Sequence, residues 1–469
     1  MPGNRRSSLS RRDFLRASSF LALGGVLAAC AAPPGAEQAA QQAEQAQQPE
    51  AQAPAAASGD AVQYWVGWGN YQPAFDAIVQ TDEWAEWMGD TKVELKSSTT
   101  AEALLTAVAA GTPPDGASNR EYLDYMARGV LLPLDDWLST SEVVKQENYL
   151  EGTWRDGSYQ GVMYGVPANE GFLRYGLNYN ARMVEEAGLD PDTPPQTWSE
   201  CMEWHKALTK FDDAGNLLQV GLDAYDAMGG QLAIQDGFFA SVSWGWQWFD
   251  PETGKFDLDN EMMIQAFEVM GEFTKLAGPD NMAGMRQVEG QGGWGPSYNA
   301  EVQAMIIEGY WHPGETQIQK PEVAQYNRAS WAPVPDARKG VKVQGTGGHY
   351  VIIYKDAKHT EEMFKVAEFL NTDTALKIIF ENTGWLPGMP KFLESVDPAA
   401  YPGLDFYFKS VDEATEWSSP ARCPISQFAS QQYVQLREAN FRDEMTAAEA
   451  AAEFQKRCEE EYKNAGFAS

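Results

Sequence analysis

Val62-Gln63-Tyr64-Trp65-Val66 and, further along, Lys92-Val93-Glu94-Leu95-Lys96 are the runs from which the architecture is read. The first is β-branched and aromatic, and the second alternates strictly, so both predict strands. Between them Pro73 occupies the favoured first position of a helix. After them Ala101 to Ala110 is a strong helix former, stopped by Gly111, Pro113 and Pro114. Strand, helix, strand, helix predicts an α/β chain with a mostly parallel sheet covered on both faces. The pattern recurs, with Phe172 to Asn178 and Tyr350 to Tyr354 as strands and Ala181 to Ala187 and Thr360 to Leu370 as helices. Thr360 reads as the N-cap of the last, with Glu361 and Glu362 in its first turn. Met263, Ala266, Phe267, Met270, Phe273 and Ala277 keep a 3.6-residue period and read as the core face of another helix.

The chain has 469 residues, enough at roughly 150 residues per domain for at least two cores. Its composition, 43% hydrophobic and 22% charged, excludes collagen-like, coiled-coil and wholly disordered chains. No stretch reaches the roughly 20 apolar residues of a membrane-spanning helix. The formal net charge is −32, and it deepens once the first 30 residues, with five arginines against Asp13 alone, are set aside. So acidic a body, with no basic run after residue 30, lacks the electrostatic footprint of a nucleic-acid binder. The 16 tryptophans are a surplus that demands a use.

Residues 1–30 read as an export address. Arg11 and Arg12 stand directly before Asp13-Phe14-Leu15 and resemble a twin-arginine signal. Thirteen uncharged residues, Ala17 to Ala29, follow, the length of a signal-peptide apolar region. Leu27-Ala28-Ala29-Cys30 resembles a bacterial lipobox, which implies that Cys30 is multiply acylated and becomes the new N-terminus. Residues 31–59 hold no aromatic and no Val, Ile, Leu or Met; they predict a disordered tether, because they offer no apolar surface to offset chain entropy. Only Cys201, Cys423 and Cys458 follow Cys30, an odd number for an exported protein. Thr197-Trp198-Ser199-Glu200 is a capping box, and Cys201, Trp204 and Leu208 behind it share a helix face, so Cys201 reads as a buried thiol. A bridge between Cys423 and Cys458 stays open.

Catalytic motifs are absent. The four histidines, His205, His312, His349 and His359, form no zinc-hydrolase pattern, and there is no Cys-x-x-Cys, nucleophile elbow or phosphate-cradling glycine loop. Asp257 to Glu261 lacks the spacing of a calcium loop. No catalytic residue, metal site or cofactor is predicted, although a carboxylate pair suited to glycoside cleavage stays open among so many acids.

From Ala101 onward, segments stand in an order that resembles the extracellular solute-binding proteins of ABC importers, in particular the sugar-binding group that includes maltodextrin-binding proteins. They are Ala109-Ala110-Gly111-Thr112-Pro113-Pro114-Asp115, Gly129 to Asp136, Gly161-Val162-Met163-Tyr164-Gly165-Val166-Pro167, Tyr179-Asn180, Glu186 to Leu189, Pro194 to Trp198, Ala304-Met305, Gly309-Tyr310-Trp311 and Gly384-Trp385-Leu386-Pro387. Two departures stand out: Gly116-Ala117-Ser118, where the family continues with a β-branched strand, and His349, where it usually has a bulkier residue. The resemblance implies the two-lobe periplasmic-binding-protein fold of type II, with a ligand cleft at a hinge. It places chain crossings near Glu170–Leu173, Gly348–Ile353 and Pro387–Lys391. Lobe one is then 60–170 plus 351–388, and lobe two 171–350 plus 389–469.

A sugar ring has apolar faces and a hydroxyl rim, so its site stacks aromatic rings and presents carboxylates and other short polar groups. Trp68 follows the first strand, where open parallel sheets place ligands. Trp244 and Trp246, with Trp248 ranked behind them, alternate and share a face if the segment is extended. Gly348 permits close backbone approach at a crossing, beside His349. The resemblance adds Asn119 and Arg120 as polar contacts, Glu170 as the hinge acid, and Trp311; Trp385 and Arg422 complete the ligand set. The expected function is a non-catalytic, lipid-anchored, monomeric receptor on the extracytoplasmic face of the membrane. It captures a carbohydrate, an oligosaccharide by preference, and delivers it to an ABC permease. The alternatives are an extracellular carbohydrate-active enzyme, or the same receptor for glycerol phosphate or a polyamine.

Overall fold

The computed structural model describes residues 61–118, 122–226, 238–289 and 296–467. The export signal, Cys30, the tether, Asn119 and Arg120 lie outside the described residues. Ten strands build two five-stranded sheets. In chain order they are β1 (Val62–Val66), β2 (Val93–Lys96), β3 (Gly116–Ser118), β4 (Gly165–Glu170), β5 (Gly176–Asn180), β6 (Lys210–Phe211), β7 (Leu217–Leu222), β8 (Gln303–Glu308), β9 (Asn327–Ser330) and β10 (His349–Ile353). The first sheet runs β2-β1-β3-β10-β4 and the second β9-β5-β8-β7-β6.

Pairing is parallel from β1 to β2 and β3, whereas β10 lies antiparallel between β3 and β4. In the second sheet β8 is parallel to β7 and antiparallel to β5. β9 is also antiparallel to β5 and β6 to β7, so two of four pairings in the first sheet and three of four in the second are antiparallel, and neither sheet is mostly parallel as the strand–helix alternation predicts. β1 is buried except at Gln63, as befits a strand covered on both faces. β2, at the sheet edge, alternates half-buried and exposed.

The small residues of β3 have a steric cause. A Cβ on Gly116 would lie 2.7 Å from Met363 Cγ and 2.9 Å from the Ile352 carbonyl oxygen. The helix Thr360–Phe369 thus approaches so closely that a β-branched strand could not fit. Thr360 begins that helix rather than capping it. The carboxylate of Asp115 instead accepts the N–H groups of Lys358 and His359, both at 3.0 Å, just ahead of the first turn.

Other elements follow the sequence closely. Helix Ala101–Ala110 is capped by Thr100 and ended by a left-handed Gly111. Thr197 and Glu200 form their capping box on helix Trp198–Leu208, with Cys201, Trp204 and Leu208 buried. The six-residue stripe of helix Glu261–Ala277 faces the core. The C-terminal helices Ser426–Phe441 and Ala447–Asn464 pack on it. Cys201, Cys423 and Cys458 are all free and buried, so the bridge left open has not formed.

The strand expected over Phe172 to Asn178 instead begins at Gly176, because the preceding residues are a passage between sheets. Gly171 N–H donates to Leu386 O at 2.9 Å, Arg174 N–H to Gly345 O at 2.9 Å, and Leu173 bridges Thr346. Three passages, at 171–175, 345–349 and 384–390, thus lie side by side. A Cβ on Gly348 would sit 2.8 Å from Glu170 O and 3.2 Å from Gly171 Cα, and one on Gly388 would sit 2.4 Å from Gly171 O. Glycine at these points lets backbone pack on backbone.

Candidate functional site

Where the passages meet, the ends of β1, β4 and β10 assemble a buried aromatic and ionic block. Trp68, two residues past β1, stacks on His349 at 3.7 Å between centroids, 24° from coplanar. Trp385 meets the two rings edge-on at 5.5 and 5.7 Å and stacks on Tyr71 at 5.9 Å. Its indole N–H donates to Glu315 Oε1 at 2.8 Å, linking the third passage to helix Trp311–Gln319. Glu170, the last residue of β4, accepts from Arg174 Nη2 at 2.8 Å and lies 3.3 Å from His349 Nδ1. Its second oxygen is 3.0 Å from Tyr310 Oη, which also lies 2.9 Å from Leu386 O and accepts the Leu386 N–H at 3.0 Å. Burial first, and the nearby Glu170 second, hold the Tyr310 hydroxyl well above its ordinary pKa. The Arg174 guanidinium also lies over the Trp311 ring, 5.1 Å from its centroid.

Beside this block lies a cleft of about 630 Å³, its solvent mouth included, between the two sheet-bearing halves. The passage contributes Gly347 and Gly348, and β10 contributes Tyr350. The first half adds Tyr122, Leu123 and Asp156, and the second adds Arg174, Trp248, the segment Pro420 to Cys423, and Ser426. Tyr122 and Tyr350 meet edge to face at 5.3 Å, and the Tyr122 hydroxyl accepts the Tyr350 N–H at 3.0 Å. Asp156 ends helix Glu151–Asp156. Its Oδ1 accepts from Arg155 Nε and Nη2, both at 3.0 Å. Arg422 donates from Nη1 to the Asp156 carbonyl at 2.9 Å. Burial raises the Asp156 carboxyl, against the pull of Arg155 and Arg422, and burial lowers the Arg422 guanidinium.

The sequence-predicted residues divide accordingly. Gly348 and Arg422 line the cleft. Trp68, Glu170, Trp311, His349 and Trp385 form the buried block next to it. Trp244 and Trp246 do neither. The segment is not extended there: Phe239–Trp244 is a helix, ended by Gly245 at φ 81°. Trp244 stacks on Trp198 at 5.7 Å in the core of the second half, and Trp246 donates to Asp257 O at 2.9 Å. Trp248, ranked below both, is the member of the trio in the cleft. Sequence reasoning missed Asp156, Tyr122, Tyr350 and Arg174. The single available signal for Asp156 was a carboxylate beside Arg155 and before Gly157, ahead of the Gly161–Pro167 run.

The family model for bacterial extracellular solute-binding proteins matches residues 68–377. Solved structures share the fold at low identity. An ABC transporter solute-binding protein from Thermotoga lettingae, bound with α-D-tagatose, is 19% identical with a TM-score of 0.71, covering 86% of this chain and 99% of that one. An ABC substrate-binding protein from Listeria monocytogenes in complex with cycloalternan is 16% identical, TM-score 0.69, covering 86% and 99%. The sugar-binding protein MalE from Xanthomonas citri is 17% identical, TM-score 0.63, covering 85% and 96%. A comparison with curated protein sequences finds no match. The fold is thus the two-lobe fold of periplasmic binding proteins.

Proposed function

We propose, for a chain that belongs to the bacterial extracellular solute-binding proteins, that its solute is a carbohydrate, an oligosaccharide by preference, delivered unchanged to an ABC permease. The protein is monomeric and held at the extracytoplasmic membrane face by lipid on Cys30. Residues 60–170 plus 349–388 form lobe one and 171–348 plus 389–469 lobe two, the second boundary falling ahead of the 350/351 expected because β10 pairs with the first sheet from His349 on, and the three passages are the hinge. The cleft carries the reading. Aromatic rings of Tyr122, Tyr350 and Trp248 supply apolar faces, and Asp156 and Arg422 supply a carboxylate and a guanidinium for a hydroxyl rim. The likeness to structures holding tagatose and cycloalternan supports the same solute class. Ligand contacts made with both lobes at once would draw an open population toward the closed form.

The test is a thermal-shift panel of mono- and oligosaccharides, glycerol phosphate, polyamines and peptides. A solute that binds only the native state adds about 2.7 kcal/mol at a hundred times its Kd, a clear shift. A shift from a sugar, recovered intact, is expected. A shift confined to glycerol phosphate, polyamines or peptides would overturn the carbohydrate assignment, and a cleaved sugar would make the protein an enzyme.

A further inference from the structure

Two residues lining the cleft each carry a buried polar atom with no hydrogen-bond partner among the described residues: Asp156 Oδ2 and Trp248 Nε1. Both residues are more than nine-tenths buried. Such orphans are rare in native proteins and each calls for a cause. They come from opposite sides of the cleft. Asp156 ends helix Glu151–Asp156, between β3 and β4 of the first sheet. Trp248 sits among Phe238, Phe249 and Phe256 in the second half. Their chemistry is complementary, because a carboxylate oxygen only accepts and an indole N–H only donates. Asp156 is held in place through its other oxygen by both Arg155 nitrogens. Arg422, besides its contact to the Asp156 carbonyl, brings further N–H donors to the same wall.

Resting on the carbohydrate reading above, we infer that Asp156 and Trp248 together hold the hydroxyl rim of a neutral sugar across the lobes, Asp156 Oδ2 accepting from a hydroxyl and Trp248 Nε1 donating to one. A hydroxyl both donates and accepts, so it matches such a pair. A carboxylate or phosphate on the ligand would satisfy Trp248 and Arg422 but would meet Asp156 Oδ2 as a second acceptor. The pair therefore selects uncharged polyhydroxylated ligands and makes one ligand bridge both halves.

The test measures Kd by calorimetry for mannobiose, maltotriose, D-tagatose and glucuronate on the wild type and on Trp248→Phe, Asp156→Asn and Trp244→Phe. Trp244 is the control, since its indole N–H is equally without a partner but lies outside the cleft. Trp248→Phe is expected to raise the Kd of the bound neutral sugar about five- to tenfold and Asp156→Asn at least about tenfold. Trp244→Phe, with the same change of ring, leaves Kd unchanged. Circular dichroism checks that each variant is folded, and Trp248→Phe alone decides the matter if Asp156→Asn is not. Wild-type affinity in Trp248→Phe, or glucuronate bound more tightly than the neutral sugars, would overturn this inference and leave the carbohydrate reading standing. Failure of the wild type to bind any of the four would overturn both.

Discussion

Gly348→Ala is the sharpest probe of the passage geometry. The added methyl would stand 2.8 Å from the Glu170 carbonyl oxygen and 3.2 Å from Gly171 Cα, atoms of a neighbouring passage. These contacts are tighter than the roughly 3.5 Å of a favourable carbon contact, and backbone cannot rotate away as a side-chain tip can. Relief requires the passages at 169–171 and 347–349 to part by several tenths of an ångström, carrying Glu170 and His349 with them. Overpacking of this kind costs about 1–3 kcal/mol, so the midpoint of urea unfolding should fall, and sugar affinity should fall with it. Gly284→Ala is the opposite control. It lies in helix Pro279–Glu289 with open space around the new methyl, and should gain up to about 1 kcal/mol. A Gly348→Ala protein as stable as the wild type, with unaltered binding, would refute the claim that backbone contact at the passages fixes their arrangement.

Tyr310→Phe should cost about 1–3 kcal/mol in urea unfolding, because it strips a buried partner from Glu170 Oε2 and from the Leu386 N–H and carbonyl. Asp124, on helix Tyr122–Arg128, accepts from Ser426 Oγ at 3.1 Å and lies near Arg128 and Glu461, and burial pushes its carboxyl up to about 7. The packed state therefore favours the neutral carboxyl. Its contribution is full below about pH 4, is lost as pH rises to about 7, and is absent above. The wild type should lose stability relative to Asp124→Asn between about pH 4 and 7 and hold level above, and a pH-independent difference would contradict the assignment. Cys201, Cys423 and Cys458 are buried, and burial pushes their thiols up, so a thiol reagent should label none of them before unfolding.

The local grammar of the chain was legible wherever a single element decides its own shape. Helix Ala101–Ala110, the Thr197 capping box and the stripe from Met263 to Ala277 each carry their cause within one or two turns. What failed were features decided by distant contacts. Thr360 begins its helix instead of capping it, and Asp115, from another part of the chain, fixes the two residues ahead of it by accepting the Lys358 and His359 N–H groups. Phe172 to Tyr175 look like a strand but are drawn off by pairing with Gly345 and Thr346. At the site, alternation of Trp244, Trp246 and Trp248 suggested one wall, yet Gly245 ends a helix between the first two and sends the three rings to different surroundings. Asp156 gave almost no local signal, because its significance lies in Arg422 arriving beside it and Trp248 joining it in the cleft from far along the sequence.

Titration calorimetry of the protein with the sugar that gives the largest thermal shift, followed by mass analysis of the recovered solute, tests the central claim most directly. The account predicts saturable binding of one sugar per chain and recovery of that sugar unaltered. Heat from no sugar, or a recovered solute with a broken glycosidic bond, would contradict it.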